Sequence, residues 1–222
     1  MAKVLIIAGP SAVGKSTLAE ELLRLYPSFT LLRSATTRPP RGDGKDGEYI
    51  YLTREEFLLA VERCEMLEHT EYSGTLYGTP RSEVVRASEE GRTPLLILDL
   101  EGVRSFSLAE GISPCSLYVY SELEVMRARL SERFVESGSF PDGERRLAER
   151  VAANLYDYSR IESYADCFYD FVKNVGTPTE TAKRLLLAFS DFEGGVPRNG
   201  ENISLALFEI SRDLAENAEK CK

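Results

Sequence analysis

The chain has 222 residues, of which 43% are hydrophobic, and a formal net charge of −9. This composition predicts a real core in one large domain or in one domain with inserts, and the acidic balance argues against sequence-independent binding to nucleic acid or to an anionic membrane. No apolar run is long enough to span a membrane and the N-terminus has no signal-peptide pattern, so we expect a cytoplasmic protein.

The cysteines and the single histidine lack the spacing of a metal site. Cys64, Cys115, Cys167 and Cys221 are not paired along the chain, and His69 stands apart from them. We interpret the cysteines as reduced thiols and His69 as a packing or surface residue.

The first predicted elements are a buried strand over residues 4–8 and a helix over residues 17–25, joined by the stretch GPSAVGKST. This stretch matches G-x-x-x-x-G-K-[ST], in which backbone N–H groups and a helix N-terminus cradle phosphates. It predicts an ATP-binding loop formed by Gly9, Ser11, Ala12, Val13, Gly14, Lys15, Ser16 and Thr17. Lys15 would reach the β- and γ-phosphates, and the Ser16 hydroxyl would bind Mg²⁺. The alternative is a glycine-rich turn that binds nothing.

Five apolar runs predict core strands near residues 4–8, 29–34, 94–99, 116–120 and 168–172. Because helical patterns separate most of them, they indicate a parallel sheet covered on both faces. Residues 35–83 and 131–150 interrupt this alternation with polar and charged sequence. We interpret them as a substrate-binding insert and a lid.

The stretch SATTRPPRGDGKDGEYIY, residues 34–51, suggests what receives the phosphate. Two prolines separate Arg38 from Arg41 and hold both arginines on a stiff, extended segment. Guanidinium groups bind phosphate oxygens in pairs, and Tyr49 can add a hydroxyl donor. The alternative is a solvated basic turn.

Taken together, the motifs resemble the guanylate kinase family, whose members transfer phosphate from ATP to GMP. The resemblance extends from about residue 3 to 187 and rests on GPSAVGKST, SATTRPPR, GEYIY, LTREEF, MLEHTEYSGTLYGTP, ILDLEGV and YDFVKN. It implies an α/β P-loop kinase fold: a parallel five-stranded sheet flanked by helices, an inserted mixed α/β nucleoside-monophosphate-binding subdomain and a helical lid. The implied division of this single domain is a core (1–33, 84–130 and 151–190), a GMP-binding insert (34–83) and a lid (131–150).

The resemblance also implies a role for individual residues. The GMP phosphate would be held by Arg38, Arg41, Tyr49 and Tyr77. Glu68 would accept hydrogen bonds from guanine N1 and N2, Asp99 would lie at the same edge, and Ser34 and Thr79 would offer hydroxyls. Adenine has an acceptor at N1, so a carboxylate there would repel it. The catalytic side chains would be Lys15, Arg38, Arg129, Arg133, Arg146 and Arg150, with Mg²⁺ entering with ATP.

Four departures from the family pattern are visible. The segment between Arg41 and Tyr49 is one residue shorter than usual, and the glutamate that members often carry there is missing, with Asp43 or Asp46 nearest to it. Ile97 stands where many members have an aspartate, and the lid is longer. Two alternatives therefore remain: a related P-loop kinase with another phosphorylated acceptor, and a non-catalytic module that binds phosphorylated partners. The intact phosphate loop speaks against the second.

The last segment has no counterpart in the family pattern. Residues 191–200 read as a linker, and Asn202 is a candidate N-cap for a final helix. Ile203, Leu207, Ile210 and Leu214 follow helical spacing and form an apolar stripe. We expect this stripe to dock on the parent fold or on a second copy of the chain in a homodimer.

Overall fold

The computed structural model describes residues 1–40, 49–72, 74–138 and 141–220, which form two β-sheets with helices around them. The strands are β1 (Ala2–Ala8), β2 (Phe29–Leu31), β3 (Ser34–Thr36), β4 (Tyr49–Tyr51), β5 (Met66–Tyr72), β6 (Thr75–Pro80), β7 (Thr93–Leu98), β8 (Ile112–Tyr120) and β9 (Asp170–Lys173). The helices are α1 (Lys15–Leu25), α2 (Arg54–Glu62), α3 (Arg81–Glu89), α4 (Leu100–Ser107), α5 (Leu123–Ser131), α6 (Gly143–Arg160), α7 (Pro178–Glu193) and α8 (Gly200–Lys220). None of these described helices is both long and apolar enough to cross a membrane.

The main sheet has five parallel strands in the order β2-β7-β1-β8-β9. Its central strand β1 is completely buried from Val4 to Ala8, because β7 and β8 flank it and α1 and α4 pack on it. A continuous apolar run is typical of a strand that is buried on both faces. The α/β fold predicted from these runs is confirmed.

The second predicted strand is shorter than expected, because it ends at Leu31 instead of continuing to residue 34. Arg33 turns away from the main sheet: its backbone N–H and its guanidinium both donate to the carboxylate of Glu83 at the start of α3, at 3.1 and 2.7 Å. Glu83 is buried and also pairs with Arg86 at 3.0 Å. Ser34 then begins a strand of the second sheet.

The second sheet has the strand order β4-β3-β6-β5 and lies within residues 34–83, the predicted insert. Phe57 of α2 packs with Ala35 and Leu76 in a small core of its own. α2 begins with a capping box, in which the Thr53 hydroxyl accepts from the Glu56 N–H at 3.1 Å and the Glu56 carboxylate accepts from the Thr53 N–H at 2.8 Å. The insert therefore has its own core.

The predicted lid contains the end of α5, a π-helical turn (Glu132–Glu136) and the start of α6. The start of α6 packs so closely on this turn that a Cβ at Gly143 would lie 2.1 Å from the carbonyl oxygen of Phe134. Only glycine fits this close approach of two backbones.

The final helix α8 docks on the protein's own core. Ile203, Ala206 and Ile210 are almost fully buried in the main hydrophobic cluster, and Leu207 and Leu214 are partly buried against it. The sequence left two docking surfaces open for the apolar stripe, the parent fold and a second copy of the chain. In the structure the stripe packs on the parent fold.

The segment before α8 differs from the prediction in two respects. α7 continues to Glu193, so the linker starts later than residue 191. Asn202 does not cap α8: the Asn199 side chain accepts the Asn202 N–H at 3.1 Å, whereas the Asn202 amide donates to Asp170 and to the carbonyl of Phe171. Asn199 immediately precedes the helix, so its side chain can accept a backbone N–H of the first turn, as an N-cap residue does.

In the described part of the chain Cys64, Cys115 and Cys167 are free, and His69 is exposed on β5; Cys221 lies outside the described residues.

Candidate active site

The predicted phosphate loop lies between the end of β1 and the start of α1, at the carboxyl edge of the main sheet. Gly9 has a φ of 150°, and a Cβ there would lie 2.2 Å from the carbonyl oxygen of Val119 in β8. Gly14 caps α1 with a φ of 109°, and a Cβ there would lie 2.7 Å from the Asn174 amide nitrogen. Gly9 is required because a Cβ there would collide with the backbone of β8, and Gly14 because its positive φ is strained for any residue with a side chain.

Lys15 is the first residue of α1 and is folded back over this loop. Its ammonium donates to the carbonyls of Gly9 at 2.6 Å and Pro10 at 2.9 Å. Burial lowers the pKa of Lys15 to about 8, and the carboxylates of Asp157 and Asp99 partly oppose this shift. The helix N-terminus beside it favours an anion, since the first N–H groups of a helix have no intrahelical acceptor.

A cavity of about 600 Å³ opens in front of the loop. Its lining includes the predicted ATP-binding residues Ser11, Ala12, Gly14, Lys15, Ser16 and Thr17. The other two predicted residues, Gly9 and Val13, are not in this lining, and Val13 is fully buried. The Ser16 hydroxyl in this lining is an oxygen donor of the type that Mg²⁺ prefers, so the residues present fit a magnesium ion brought in with ATP.

Three of the predicted lid arginines line the same cavity: Arg129, Arg133 and Arg150. Arg129 donates to the carbonyls of Ala12 and Val13 in the loop, at 3.2 and 3.3 Å. The fourth predicted arginine, Arg146, is not in the cavity lining. It pairs with Asp142 at 2.7 Å, at the start of α6.

Two asparagines that the sequence analysis did not select bind the phosphate loop. Asn154 of α6 is buried, and its side-chain amide makes two hydrogen bonds to the backbone of Ser11. The amide oxygen accepts the Ser11 N–H at 2.8 Å, and the amide nitrogen donates to the Ser11 carbonyl at 3.0 Å. Asn174, directly after β9, donates to the Val13 carbonyl at 2.6 Å. The available signals were the spacing of Asn154 four residues after Arg150, on one helix face, and the position of Asn174 after a parallel strand.

The predicted GMP-binding residues of the second sheet share one face. Residues directly opposed in a sheet share a face, and so do alternate residues of a strand. Ser34 opposes Tyr49, Glu68 opposes Thr79, and Tyr77 lies two residues before Thr79. The pairing of β3 with β6 joins these residues on the same side of the sheet.

Arg38 presents an unsatisfied donor next to this face. Its Nη1 atom is buried without a hydrogen-bond partner among the described residues, and its guanidinium lies 5.1 Å from the centre of the Tyr49 ring. A buried guanidinium nitrogen without an acceptor is costly, so it favours an anionic ligand. The second predicted phosphate ligand, Arg41, lies outside the described residues.

Glu68 is a buried carboxyl group at the other end of the face. It accepts the Thr79 hydroxyl at 2.7 Å. Burial raises the pKa of Glu68 to about 7, the Thr79 hydrogen bond partly offsets this, and the charge of Asp99 adds to it. Asp99 itself caps α4, accepting the Gly102 N–H at 2.7 Å, and its charge also acts on Lys15. The charge of Asp99 therefore acts both on Lys15 in the loop and on Glu68 in the second sheet.

Comparisons with known proteins agree with this geometry. The family model described as guanylate kinase matches residues 1–175. The chain is 39% identical to the guanylate kinase of Synechococcus elongatus over 135 residues, which are 60% of this chain and 74% of that protein. It is 34% identical to the guanylate kinase of a Synechocystis strain over 184 residues, which are 78% of this chain and 93% of that protein.

A solved structure has the same fold. The guanylate kinase of Anaplasma phagocytophilum superposes with a TM-score of 0.61 at 23% identity, over 86% of both chains. Because the family model matches residues 1–175 and the Synechocystis relative is 34% identical over 78% of this chain, the chain belongs to the guanylate kinase family.

Proposed function

We propose that this protein is a guanylate kinase that transfers the γ-phosphoryl group of ATP to GMP through the residues described above. One observation carries the assignment of the acceptor: the second sheet holds the buried Glu68 carboxyl on β5, and beside its Tyr49 lies the buried Nη1 of Arg38, which has no hydrogen-bond partner among the described residues. A nucleotide with a phosphate at one end and two adjacent base donors at the other satisfies both groups. Guanine has such donors at N1 and N2, and adenine does not.

On the donor side, the loop N–H groups and Lys15 would bind the phosphates of ATP. Arg129, Arg133 and Arg150 would neutralise the charge that spreads over the transferring group. The Ser16 hydroxyl would hold Mg²⁺, which supplies further charge neutralisation when it is bound. The acceptor is already a phosphate oxygen anion, so this chain needs no strong general base, and catalysis depends on positioning and water exclusion.

The division into a core (1–33, 84–130 and 151–190), a GMP-binding insert (34–83) and a lid (131–150) is part of this proposal. It is supported by the separate small core under the second sheet and by the loop-facing arginines of α5 and α6. A cytoplasmic location is supported by the free thiols of the described cysteines.

A homodimer through α8 would have to use the outer face of that helix. Its apolar stripe is already covered by the parent fold, whereas Leu205 and Phe208 are 58% and 64% exposed.

The function is tested by coupled assay of ADP formation with ATP and one acceptor at a time: GMP, dGMP, AMP or a sugar phosphate. We expect turnover with GMP and at least a hundredfold lower efficiency with AMP, since a mismatched base leaves buried polar groups unpaired. Preferred turnover of the sugar phosphate, or phosphopeptide binding without any turnover, would overturn the proposal.

A further inference from the structure

Helix α8 lies outside the residues that the family model matches, yet it contacts the helices that carry the lid arginines. It packs on β9, on α6 and on α5. Besides the apolar contacts, Glu209 accepts from Lys173 and from the Tyr120 hydroxyl, both at 3.1 Å. Tyr120 is the last residue of β8, immediately before the segment that starts α5.

The start of α5 takes its side-chain cap from α8. Glu122 occupies the N-cap position of α5, and within the described chain its side chain makes no capping hydrogen bond. Instead, the Asp213 carboxylate of α8 accepts the N–H of Leu123, the first residue of α5, at 2.7 Å. This N–H has no acceptor within its own helix, and a negative charge there also interacts favourably with the helix dipole.

Helix α6 also makes hydrogen bonds to the segment at the start of α5. The Tyr158 hydroxyl accepts the Ser121 N–H at 3.0 Å and donates to the Ser121 carbonyl. The start of α5 is therefore fixed between α6 and α8. Tyr158 lies on the helix that also carries Arg150, which lines the cavity.

A fixed start of α5 determines where its other end lies. Arg129 follows Leu123 by six residues in the same helix, which corresponds to about 9 Å along the axis. At that end its guanidinium bonds to the carbonyls of Ala12 and Val13 in the phosphate loop. A displacement at the start of α5 is thus transmitted along a rigid element to the loop.

We propose that Asp213 is a positioning residue for ATP binding: by capping α5 from the C-terminal helix, it holds Arg129 against the phosphate loop. The proposal rests on the ATP-binding function proposed for this cavity. Helix α8 then acts as a brace for the lid, in addition to its contribution to the core.

The test compares Asp213→Ala with Asp213→Asn in the full-length chain. The alanine variant loses the cap, whereas asparagine keeps an oxygen that can accept the Leu123 N–H. At 25 °C we expect kcat/KM for ATP to fall about fivefold in D213A, the factor that corresponds to a lost N-cap, and to recover largely in D213N. The change should lie mainly in KM for ATP, with KM for GMP little changed.

The matched control is Thr53→Ala, which removes the cap of α2, a helix remote from the ATP cavity. It should lower the melting temperature as D213A does, but leave KM for ATP unchanged. A double-mutant cycle with Arg129→Ala gives the second readout: if Asp213 acts through Arg129, D213A has little further effect on ATP kinetics in the R129A background.

Unchanged ATP kinetics in D213A, or effects of D213A and R129A that simply add, would overturn the positioning role. If D213A does not fold, Asp213→Glu displaces the carboxylate from Leu123 and serves the same comparison. Turnover by the unmodified enzyme is measured first. An inactive parent protein counts against the kinase function, whereas an active parent with an unaffected D213A counts against Asp213 alone.

Discussion

The affinity for GMP should depend on the protonation of Glu68. Because burial raises the pKa of this carboxyl to about 7, it is about half ionised at pH 7 in the free protein. The guanine N1 and N2 donors require the ionised form, so binding must release the proton. For a pKa of 7, protonation of Glu68 multiplies the dissociation constant for GMP by 1 + 10^(7−pH). This constant should therefore rise about fivefold from pH 7 to pH 6 and fall about twofold from pH 7 to pH 8.

Isothermal titration calorimetry of GMP at pH 6, 7 and 8 and constant ionic strength measures this dependence. Repeating the titration at pH 7 in buffers of different ionisation enthalpy should reveal release of about half a proton from Glu68. The phosphate of GMP also titrates, with a second pKa of about 6. Glu68→Gln is therefore the control, because it keeps the phosphate contribution and removes the carboxyl.

The same variant gives the magnitude of base recognition. Glutamine turns one acceptor into a donor that faces the guanine donors. The transition-state stabilisation calculated from kcat/KM for GMP should therefore decrease by about 1–3 kcal/mol, with a smaller loss for AMP. Identical pH profiles in the parent and E68Q, tighter GMP binding at pH 6, or equal losses for GMP and AMP would refute the role of Glu68.

Three further predictions concern the loop, its support and the core. Lys15→Met should abolish transfer while circular dichroism and the melting temperature stay close to those of the parent, because within the described residues the ammonium donates its hydrogen bonds to the loop carbonyls of Gly9 and Pro10; normal turnover would exclude its role. Asn154→Ala removes both hydrogen bonds to Ser11 and should weaken ATP binding more than GMP binding in calorimetric titrations, whereas equal weakening would indicate general destabilisation. Ile210→Ala should lower the free energy of unfolding by about 2–5 kcal/mol in urea titrations, and Leu205→Ala, on the exposed face, by less than about 0.5 kcal/mol; similar values for both would mean that α8 does not dock as described.

The main sheet was predictable because its strands are continuous apolar runs, and the loop between β1 and α1 because the motif requires a strand before it and a helix after it. The end of β2 was not predictable, because the chain is redirected there by a contact between Arg33 and the buried Glu83. Glu83 is remote in sequence, and nothing in the sequence distinguishes it from an exposed glutamate. The order of the second sheet could not be predicted either, because β3 and β4 are only three residues long.

The candidate site was predictable where a motif carries it and unpredictable where a tertiary contact does. Asn154 and Ser11 are partners through a side-chain amide and backbone groups, and backbone groups leave no trace in a sequence. The cap of α8 shows the same limit: both Asn199 and Asn202 suit an N-cap, and only the position of Asp170 decides that Asn202 is used elsewhere.

The central position of β1 has a consequence for how the chain folds. β1 precedes the other described strands in the chain, yet its two neighbours in the sheet, β7 and β8, start at Thr93 and Ile112. Its pairing must therefore close a long loop of chain, which slows folding in proteins dominated by distant contacts. The second sheet joins strands that are close in sequence. It can therefore form before β7 and β8, the partners of β1, have been synthesised. We expect the nascent chain to expose the apolar surface of β1 until β7 emerges, which makes this strand the segment most exposed to aggregation during synthesis.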